Sequence, residues 1–568
     1  ALTPMARFVI HPTVTGANIK YTVDEILSKI NLDPEVTPRA RDLIRGMLSK
    51  RRELFSDELG YAQGMKQRIP LRPGAEPPHE QCRRLSPQEY AALKGEVDKQ
   101  LKQRLIMPIV SPFSAAPMVI AKPPAADGSI SHRVVLDFRR LNEITDRDSY
   151  PLPRVDDNLA KLGKAKLFTT ADLLMGFHQV ELEEESIPAT AFSTPWGQFA
   201  YTRMPMGLTS SPSAFMRIVD ATLRGLPHDI ALAYCDDIII FTDGDMEQHM
   251  KDVGAVFDKL IEGGFKVRCD KVHIGKREVP YLGFMVGAYG TRPLEKKIAP
   301  IVEMTVAAVQ RSTKAAARFA GMVGVYQRFI PQCHHLLAPF HEMRVKNADA
   351  TDLGRRLRFL AAFSALKHAI CTLTSLSRPD MSKKFYVSVD AAATGGASAV
   401  LSQRADPDDP TTHVPLAFWS TRFLETMRGW PVRDQECFAM HAAMMEWRRY
   451  LLGAQVVVQT DHQSLKALLL GKLREGGRIT DWAMDLRGFD AQIDWIAGNT
   501  NVVPDALSRA FDKPVAATAK LPSAALAVVA KASTPPPRAA GFASIASGAN
   551  TSADIVLREA GRLTFRHH

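Results

Sequence analysis

Two adjacent carboxylates stand between two runs of β-type residues in LAYCDDIIIF, residues 232–241. The spacing predicts a hairpin whose four-residue insert carries Asp236 and Asp237 at its tip. Like charges held side by side repel one another, and a divalent cation between them offsets that cost. The framing by apolar strands carries this reading, because Asp156-Asp157 and Asp408-Asp409 are also adjacent pairs and lack it. Phosphoryl transfer between two Mg²⁺ ions about 3.5–4 Å apart needs a further acid. KLFTTADLLMGFHQVEL supplies Asp172 at the end of an apolar strand, although alone it reads equally well as a helix cap. Hard oxygen ligands of this kind suit Mg²⁺.

A second set of acids lies nearer the C-terminus. Asp390 ends the strand pattern KFYVSVD, and Asp461 ends VVVQTD. Glu436 lies near the start of the helical DQECFAMHAAMMEWRRYLL, with Asp434 as an alternative, and Asp505 sits in VVPDALSR. Each acid alone suits a cap or a solvated turn. Four of them at strand ends and helix starts, in an alternating β/α layout, fit a two-metal nuclease of the RNase H fold.

The elements that must position these groups are readable from periodicity. DEILSKI and RARDLIRGMLSKRREL carry helical patterns, KQRIPL looks strand-like, and LRPGAEPP is a break. SPQEYAALKGEVDKQLKQRLI predicts an amphipathic helix with Ser86 as N-cap, Pro87 at its first position and Gln88 and Glu89 in its first turn. From 111 to 290, β-type runs (APMVIA, RVVLDF, KLFTTAD, IALAY, IIIFT, YLGFMV) alternate with helical stretches. Residues 294–380 read as mostly helical, and strands return at KFYVSVD, AVLSQ, PLAFWS, VVVQTD and AQIDWIAG. The Ala/Ser/Pro composition of 511–550, with a triple proline at 535–537, predicts a linker or tail.

Composition bounds the function classes. A chain of 568 residues with 46% hydrophobic and 23% charged residues is not disordered throughout. No run approaches eighteen apolar residues, so no transmembrane helix is expected, and the N-terminus lacks a signal-peptide pattern. Lys and Arg number 72 against 61 Asp and Glu, a surplus of +11 that suits a polyanion without requiring one. The six cysteines form no CxxC pair, so neither a zinc site nor a disulfide framework is expected. The chain begins with Ala, which suggests a piece of something longer.

An ordered series of strings resembles the reverse transcriptase of gypsy-class (Metaviridae) LTR retrotransposons: SPFSAAPMVIAK, HRVVLDFRRLNEITDRDSYPLPRVDD, the stretch from LFTTADLLMGFHQVEL to MPMGLTSSPSAF, AYCDDIIIFT, GFKVRCDKVHIGKREVPYLGFMVGAYG and FAGMVGVYQRFI. TDHQSLKALL and NVVPDALSR are similar to the RNase H domain of the same elements. Together they cover roughly residues 35–510. The resemblance implies an α+β right-hand polymerase (fingers, palm, helical thumb) followed by an α/β RNase H-like domain. It divides the chain into an extension (1–84), fingers and palm (85–293), thumb (294–358), RNase H domain (359–510) and tail (511–568).

By the same resemblance Asp172 and Asp236 would bind both polymerase metals, with Asp237 assisting. Tyr234 and Cys235 complete the YxDD box, Phe177 is the sugar gate that selects dNTPs, and Arg133 contacts the triphosphate. Lys122 would do likewise, but where relatives carry further lysines this chain reads AKPPAADG, with Pro123 and Pro124. Asp390, Glu436, Asp461 and Asp505 would bind the nuclease metals, the family string favouring Glu436 over Asp434. Pro504 replaces the usual alanine before the fourth acid, and no histidine falls between His462 and Asp505.

The cofactor implied is Mg²⁺, two ions per site, with Mn²⁺ as a substitute. The implied partners are an RNA template, a DNA primer, the RNA–DNA hybrid and dNTPs, gripped by a basic, salt-sensitive track. No membrane partner is implied; a dimer, or association with other products of the polyprotein, is. Cytoplasmic virus-like particles are the expected setting, with nuclear entry. No D-[ST]-G protease motif and no HHCC zinc pattern occur, so the chain reads as one segment of a larger polyprotein. The competing reading is a catalytically silent, domesticated nucleic-acid-binding protein. Seven intact acids argue against it, since a silent copy has no chemical reason to keep repelling carboxylates. The order of motifs argues against a non-LTR polymerase, and Phe177 against an RNA-dependent RNA polymerase.

Overall fold

The computed structural model describes residues 21–496 except 34–35, 122–130, 228–229, 289, 331–332, 344–352, 372–375, 392–395, 407, 410–411, 463–464 and 466–477. Lys122, Asp505 and the expected tail lie outside the described residues. The chain divides into two units at Leu282 and Gly283.

In the first unit, local capping starts the helices. Thr22 and Thr37 cap α1 (Val23–Lys29) and α2 (Pro38–Ser49). At α3 (Pro87–Lys102) the Ser86 hydroxyl accepts from the Glu89 N–H while the Glu89 carboxylate accepts from the Ser86 N–H, the reciprocal box expected from SPQE. The helix stops short of RLI, whose Ile106 begins β1 (Ile106–Pro108). Next come the hairpin of β2 (Ala116–Ala121) and β3 (His132–Asp137), then α4 (Arg139–Ile144) and α5 (Val155–Lys161). β4 is Leu167–Asp172. A small antiparallel sheet joins β1 to β5 (Phe192–Thr194) through β6 (Gly197–Tyr201).

The site-bearing sheet adds β7 (Ala231–Tyr234), β8 (Asp237–Thr242) and β9 (His273–Lys276) to β4, in the antiparallel order β7-β8-β4-β9. Ile238, Ile239 and Ile240 are all fully buried, which explains an apolar run without alternation. α6 (Ser211–Thr222) and α7 (Met246–Glu262) contribute Phe215, Val219, Val253 and Phe257 to the same core. His249 bridges two strands of this sheet, with Nε2 2.8 Å from Thr169 Oγ1 and Nδ1 2.9 Å from Thr242 Oγ1. Burial pushes that imidazole down to about 4, so it is neutral at pH 7.

Two expectations need correction here. KQRIPL forms no strand. Gln67 and Leu71 make single bridges to Leu182 and Thr145, and Pro70 has no N–H with which to extend a ladder. The turn carrying the paired acids has two residues, Cys235 and Asp236, because Asp237 already belongs to β8 opposite Tyr234. β10 (Glu278–Tyr281) closes the unit.

The second unit opens with the hairpin of β11 (Phe284–Gly287) and β12 (Gly290–Pro293). α8 (Glu295–Glu303), α9 (Val306–Gln310), α10 (Thr313–Gly324), α11 (Cys333–Glu342) and α12 (Leu353–Cys371) follow, as the helical pattern predicts. Thr305 splits KKIAPIVEMTVAAVQ by capping α9 with its side chain. A five-stranded sheet is then built from β13 (Phe385–Ala391), β14 (Gly396–Arg404), β15 (His413–Arg422), β16 (Gln455–Thr460) and β17 (Asp490–Trp495). Its order is β15-β14-β13-β16-β17, antiparallel over the first three and parallel from β13 through β17.

After the short α13 (Glu425–Arg428), α14 (Val432–Glu446) packs on β13 and β14. The expected long helix breaks at Trp447, and Arg448–Leu451 forms a separate turn, α15. α16 (Arg478–Leu486) lies beside α14, joined to it by ring contacts among Trp430, Phe438 and Trp482. No helix among the described residues is long and apolar enough to cross a membrane.

Candidate active sites

Antiparallel pairing sets Asp172, the last residue of β4, directly opposite Asp237, the first of β8. Asp236 occupies the turn between β7 and β8, so strand register brings Asp172 to a pair of acids more than sixty residues further along the chain. The turn is held in an uncommon conformation. Cys235 has φ +51°, and its N–H donates to Met216 Sδ on α6 at 2.9 Å. A left-handed non-glycine residue costs about 1–3 kcal/mol, which the packing of α6 sustains. Burial first, then Asp236 and Asp237, push the Cys235 thiol up to about 11.

Asp236 Oδ1 is buried with no hydrogen-bond partner. Burial first, then Asp172 and Asp237, raise this carboxyl to about 6, while Lys271 opposes the shift. Asp237 moves in the same direction through desolvation and Asp172. Lys271 Nζ donates to Asp172 Oδ2 at 2.8 Å and is the counter-charge within the cluster. An orphaned carboxylate oxygen between two further acids fits a hard divalent cation.

The backbone around this cluster is also fixed. Leu173 N–H donates to Asp236 O, and Arg268 N–H donates to Asp172 O. After Met175 (φ +49°) a short 3₁₀ turn runs from Gly176 to Gln179. The fully buried Gln179 clamps it, with Nε2 donating to Leu174 O at 2.8 Å and Lys266 O at 2.9 Å, and Oε1 accepting from Lys266 N–H. Phe177, on this turn, rests against Phe215 with ring centroids 5.1 Å apart.

A Cβ on Gly176 would lie 2.7 Å from Asp236 Oδ1 and 2.9 Å from Phe215 Cζ. Gly176→Ala therefore must displace the carboxylate. Since a misplacement near 1 Å can cost about 10²-fold, a loss of that order is expected in the single-turnover rate of phosphoryl transfer at this cluster. Arg133 is exposed on β3, with Nη2 4.0 Å from Met206 Sδ, and Tyr234 ends β7.

In the second unit the parallel pair β13 and β16 brings two more acids to one edge. Ser388 pairs with Gln459, so Asp390 and Asp461 each lie two residues further along. α14 delivers Glu436 across that edge, where its Oε1 accepts from Ala391 N–H at 3.2 Å. Oxygens of Asp390, Glu436 and Asp461 lie within 4.8 Å of one another. Asp390 and Glu436 are buried, and Glu436 Oε2 has no hydrogen-bond partner. Burial first, then Asp390 and Asp461, hold the Glu436 carboxyl well above the usual carboxylate range. Asp434 is outside this cluster, with its Oδ1 3.8 Å from Arg433 Nε. A trio of hard oxygen donors with one orphaned atom fits Mg²⁺ here as well.

Sequence reasoning missed Lys271, Gly176, Gln179 and Met216 at the first cluster and Trp495 at the second. Lys271 is 99 residues from the acid it pairs with, and no local pattern reports such a contact.

Residues 120–286 match the family model for reverse transcriptase (RNA-dependent DNA polymerase), and residues 380–489 match the RNase H-like domain found in reverse transcriptase. The retrovirus-related Pol polyprotein from transposon 297 of Drosophila melanogaster is 36% identical over 418 residues, covering 73% of this chain and 38% of that one. The corresponding polyprotein from transposon gypsy of the same organism is 30% identical over 428 residues, covering 73% and 40%. The chain thus spans well under half the length of these relatives. The solved foamy viral protease-reverse transcriptase in complex with RNA/DNA hybrid aligns with a TM-score of 0.67 at 20% identity, over 84% of this chain and 62% of that one. At that identity the likeness is one of fold: a right-hand polymerase followed by an RNase H-like domain. The chain belongs to the gypsy-class family of LTR-retrotransposon reverse transcriptases with an RNase H domain.

Proposed function

We propose that the chain copies retroelement RNA into DNA as an RNA- and DNA-directed DNA polymerase and degrades the RNA strand of the resulting hybrid. The observation that carries this reading is the register of β4 against β8, which sets Asp172 opposite Asp237 with the partnerless Asp236 Oδ1 beside them. In the polymerase reaction the primer 3′-oxygen bonds to the α-phosphorus of a dNTP and the bond to pyrophosphate breaks. Bound Mg²⁺ would lower the pKa of the attacking hydroxyl and offset charge on the leaving group.

Asp172 and Asp236 would hold both ions and Asp237 would assist from the neighbouring side. Arg133 would bind triphosphate oxygens with its planar guanidinium, and Lys122 would add to this from outside the described residues. Tyr234 would line the nucleotide site. Phe177 would close the space that a 2′-hydroxyl needs. Phe177→Ala is accordingly expected to raise the use of rNTPs relative to dNTPs by ~10–100-fold, read from competing single-nucleotide incorporation.

At the nuclease site Asp390, Glu436 and Asp461, completed by Asp505 from outside the described residues, would hold two Mg²⁺ or Mn²⁺ ions. Water then attacks the RNA phosphodiester and the sugar oxygen leaves. The working partition is fingers and palm over 85–293, a thumb over 294–358 that grips the duplex, a nuclease domain over 359–510 and a linker beyond. Template RNA, DNA primer, hybrid and dNTPs are the ligands. Association with itself or with other polyprotein products, and work in cytoplasmic virus-like particles with nuclear entry, follow from the same reading.

Primer extension on an RNA template with dNTPs tests it. Extension in Mg²⁺ that EDTA stops is the expected result. A chain that binds the annealed strands and leaves the primer unextended in Mg²⁺ and in Mn²⁺ would instead be a silent nucleic-acid-binding descendant.

A further inference from the structure

Of the three described nuclease acids, Asp461 is the one its own element does not hold. Asp390 lies within β13, paired with Ser398 on β14, and Glu436 lies within α14. β16 ends at Thr460, so Asp461 follows the last paired residue of the strand. Its backbone is instead secured from the end of β17. The Ile496 N–H donates to Thr460 O at 3.0 Å, and the indole Nε1 of Trp495 donates to Asp461 O at 2.9 Å. His462 N–H turns back to Thr460 Oγ1 at 3.2 Å, bending the chain away immediately after the acid.

Trp495 stands directly opposite Thr460 in the strand register and is 51% exposed. An indole left half in water contributes little to a core, yet its one donor is spent on the carbonyl of a cluster residue. Packing does not account for that arrangement. Orientation of a carboxylate that carries no strand of its own does.

We propose that Trp495 is a positioning residue for the nuclease, which holds Asp461 in register with Asp390 and Glu436 through the Nε1–H bond to its backbone. The inference rests on the reading of these three acids as the nuclease metal site. Partners that orient metal-binding groups are worth about 10–100-fold in affinity or activity, and an effect of that size passes through the metal rather than through the substrate.

The test is Trp495→Phe, which keeps an aromatic ring and removes the donor, with Trp495→Ala beside it. RNA-strand cleavage of a labelled hybrid is measured across Mg²⁺ concentration and hybrid concentration, and thermal unfolding checks that each variant folds. In Trp495→Phe, kcat falls by about 10–100-fold, the Mg²⁺ concentration for half-maximal cleavage rises, and KM for hybrid stays that of the wild type. Trp495→Ala shows the same metal dependence. Equal cleavage by wild type and Trp495→Phe at every Mg²⁺ concentration overturns the inference. So does a defect confined to KM that appears only in Trp495→Ala, which would make the ring a substrate contact. A wild-type chain that leaves the RNA strand intact removes the nuclease reading itself.

Discussion

Asp236→Asn lowers primer extension at pH 7 by about 10³-fold or more, ~4 kcal/mol of transition-state stabilisation, and leaves RNA-strand cleavage in place. An amide cannot supply the negative oxygen that Asp236 Oδ1 offers beside Asp172 and Asp237. The same substitution has the opposite effect on stability when metal is absent. The folded carboxyl titrates near 6 against 3.8 for the unfolded group, so the native state binds its proton more tightly. The stability this confers is fully present in acid below about pH 4 and is lost as pH rises through about 6. At pH 7 the metal-free wild type therefore carries a penalty on the order of 2–3 kcal/mol at this group. Asn removes it. Melting in EDTA is expected to show Asp236→Asn above wild type at pH 7, with the gap closing towards pH 4, and a smaller stabilisation by Mg²⁺ than in the wild type, since the acids of the second unit remain. A variant that melts below wild type in EDTA at pH 7 contradicts this account of the cluster.

Glu436→Gln has a comparable effect on the other activity. RNA-strand cleavage falls by about 10³-fold, and primer extension is retained. Glu436 Oε1 accepts from Ala391 N–H, and a glutamine carbonyl can accept the same bond. The link between α14 and β13 thus survives, and what disappears is the charge at the partnerless Oε2. Because burial and the flanking Asp390 and Asp461 raise this carboxyl, its stabilising contribution is likewise present in acid and lost as pH rises through its elevated pKa. Metal-free Glu436→Gln should then melt above wild type at neutral pH, and the stabilisation by Mg²⁺ should shrink. Calorimetry with and without Mg²⁺ reads both effects.

The residues that made these sites legible in sequence are those whose surroundings are local. Asp172 and Asp390 each close a short apolar run, and the Asp236-Asp237 pair sits between two such runs, so strand patterning alone brings them to sheet edges. The box at Ser86 and Glu89 is local in the same sense. Patterning misplaced the turn at Cys235 because it counts apolar residues, whereas the ladder starts at a charged one, Asp237. It overread KQRIPL because alternation says nothing about whether a partner strand is available. Lys271, Gly176 and Trp495 were illegible for a different reason. Each acts on a residue 34 to 99 positions away, through an ion pair, a close approach and an indole hydrogen bond that exist only once the sheets have formed.

On the proposed reading, one chain carries two independent metal-dependent sites. A single reaction separates the two, with an RNA template and an annealed DNA primer labelled differently, in Mg²⁺ with dNTPs. The wild type is predicted to lengthen the primer and fragment the template, Asp236→Asn to fragment without lengthening, and Glu436→Gln to lengthen without fragmenting. Loss of both activities in either variant, or a wild-type chain that binds the hybrid and changes neither strand in Mg²⁺ or Mn²⁺, would contradict it.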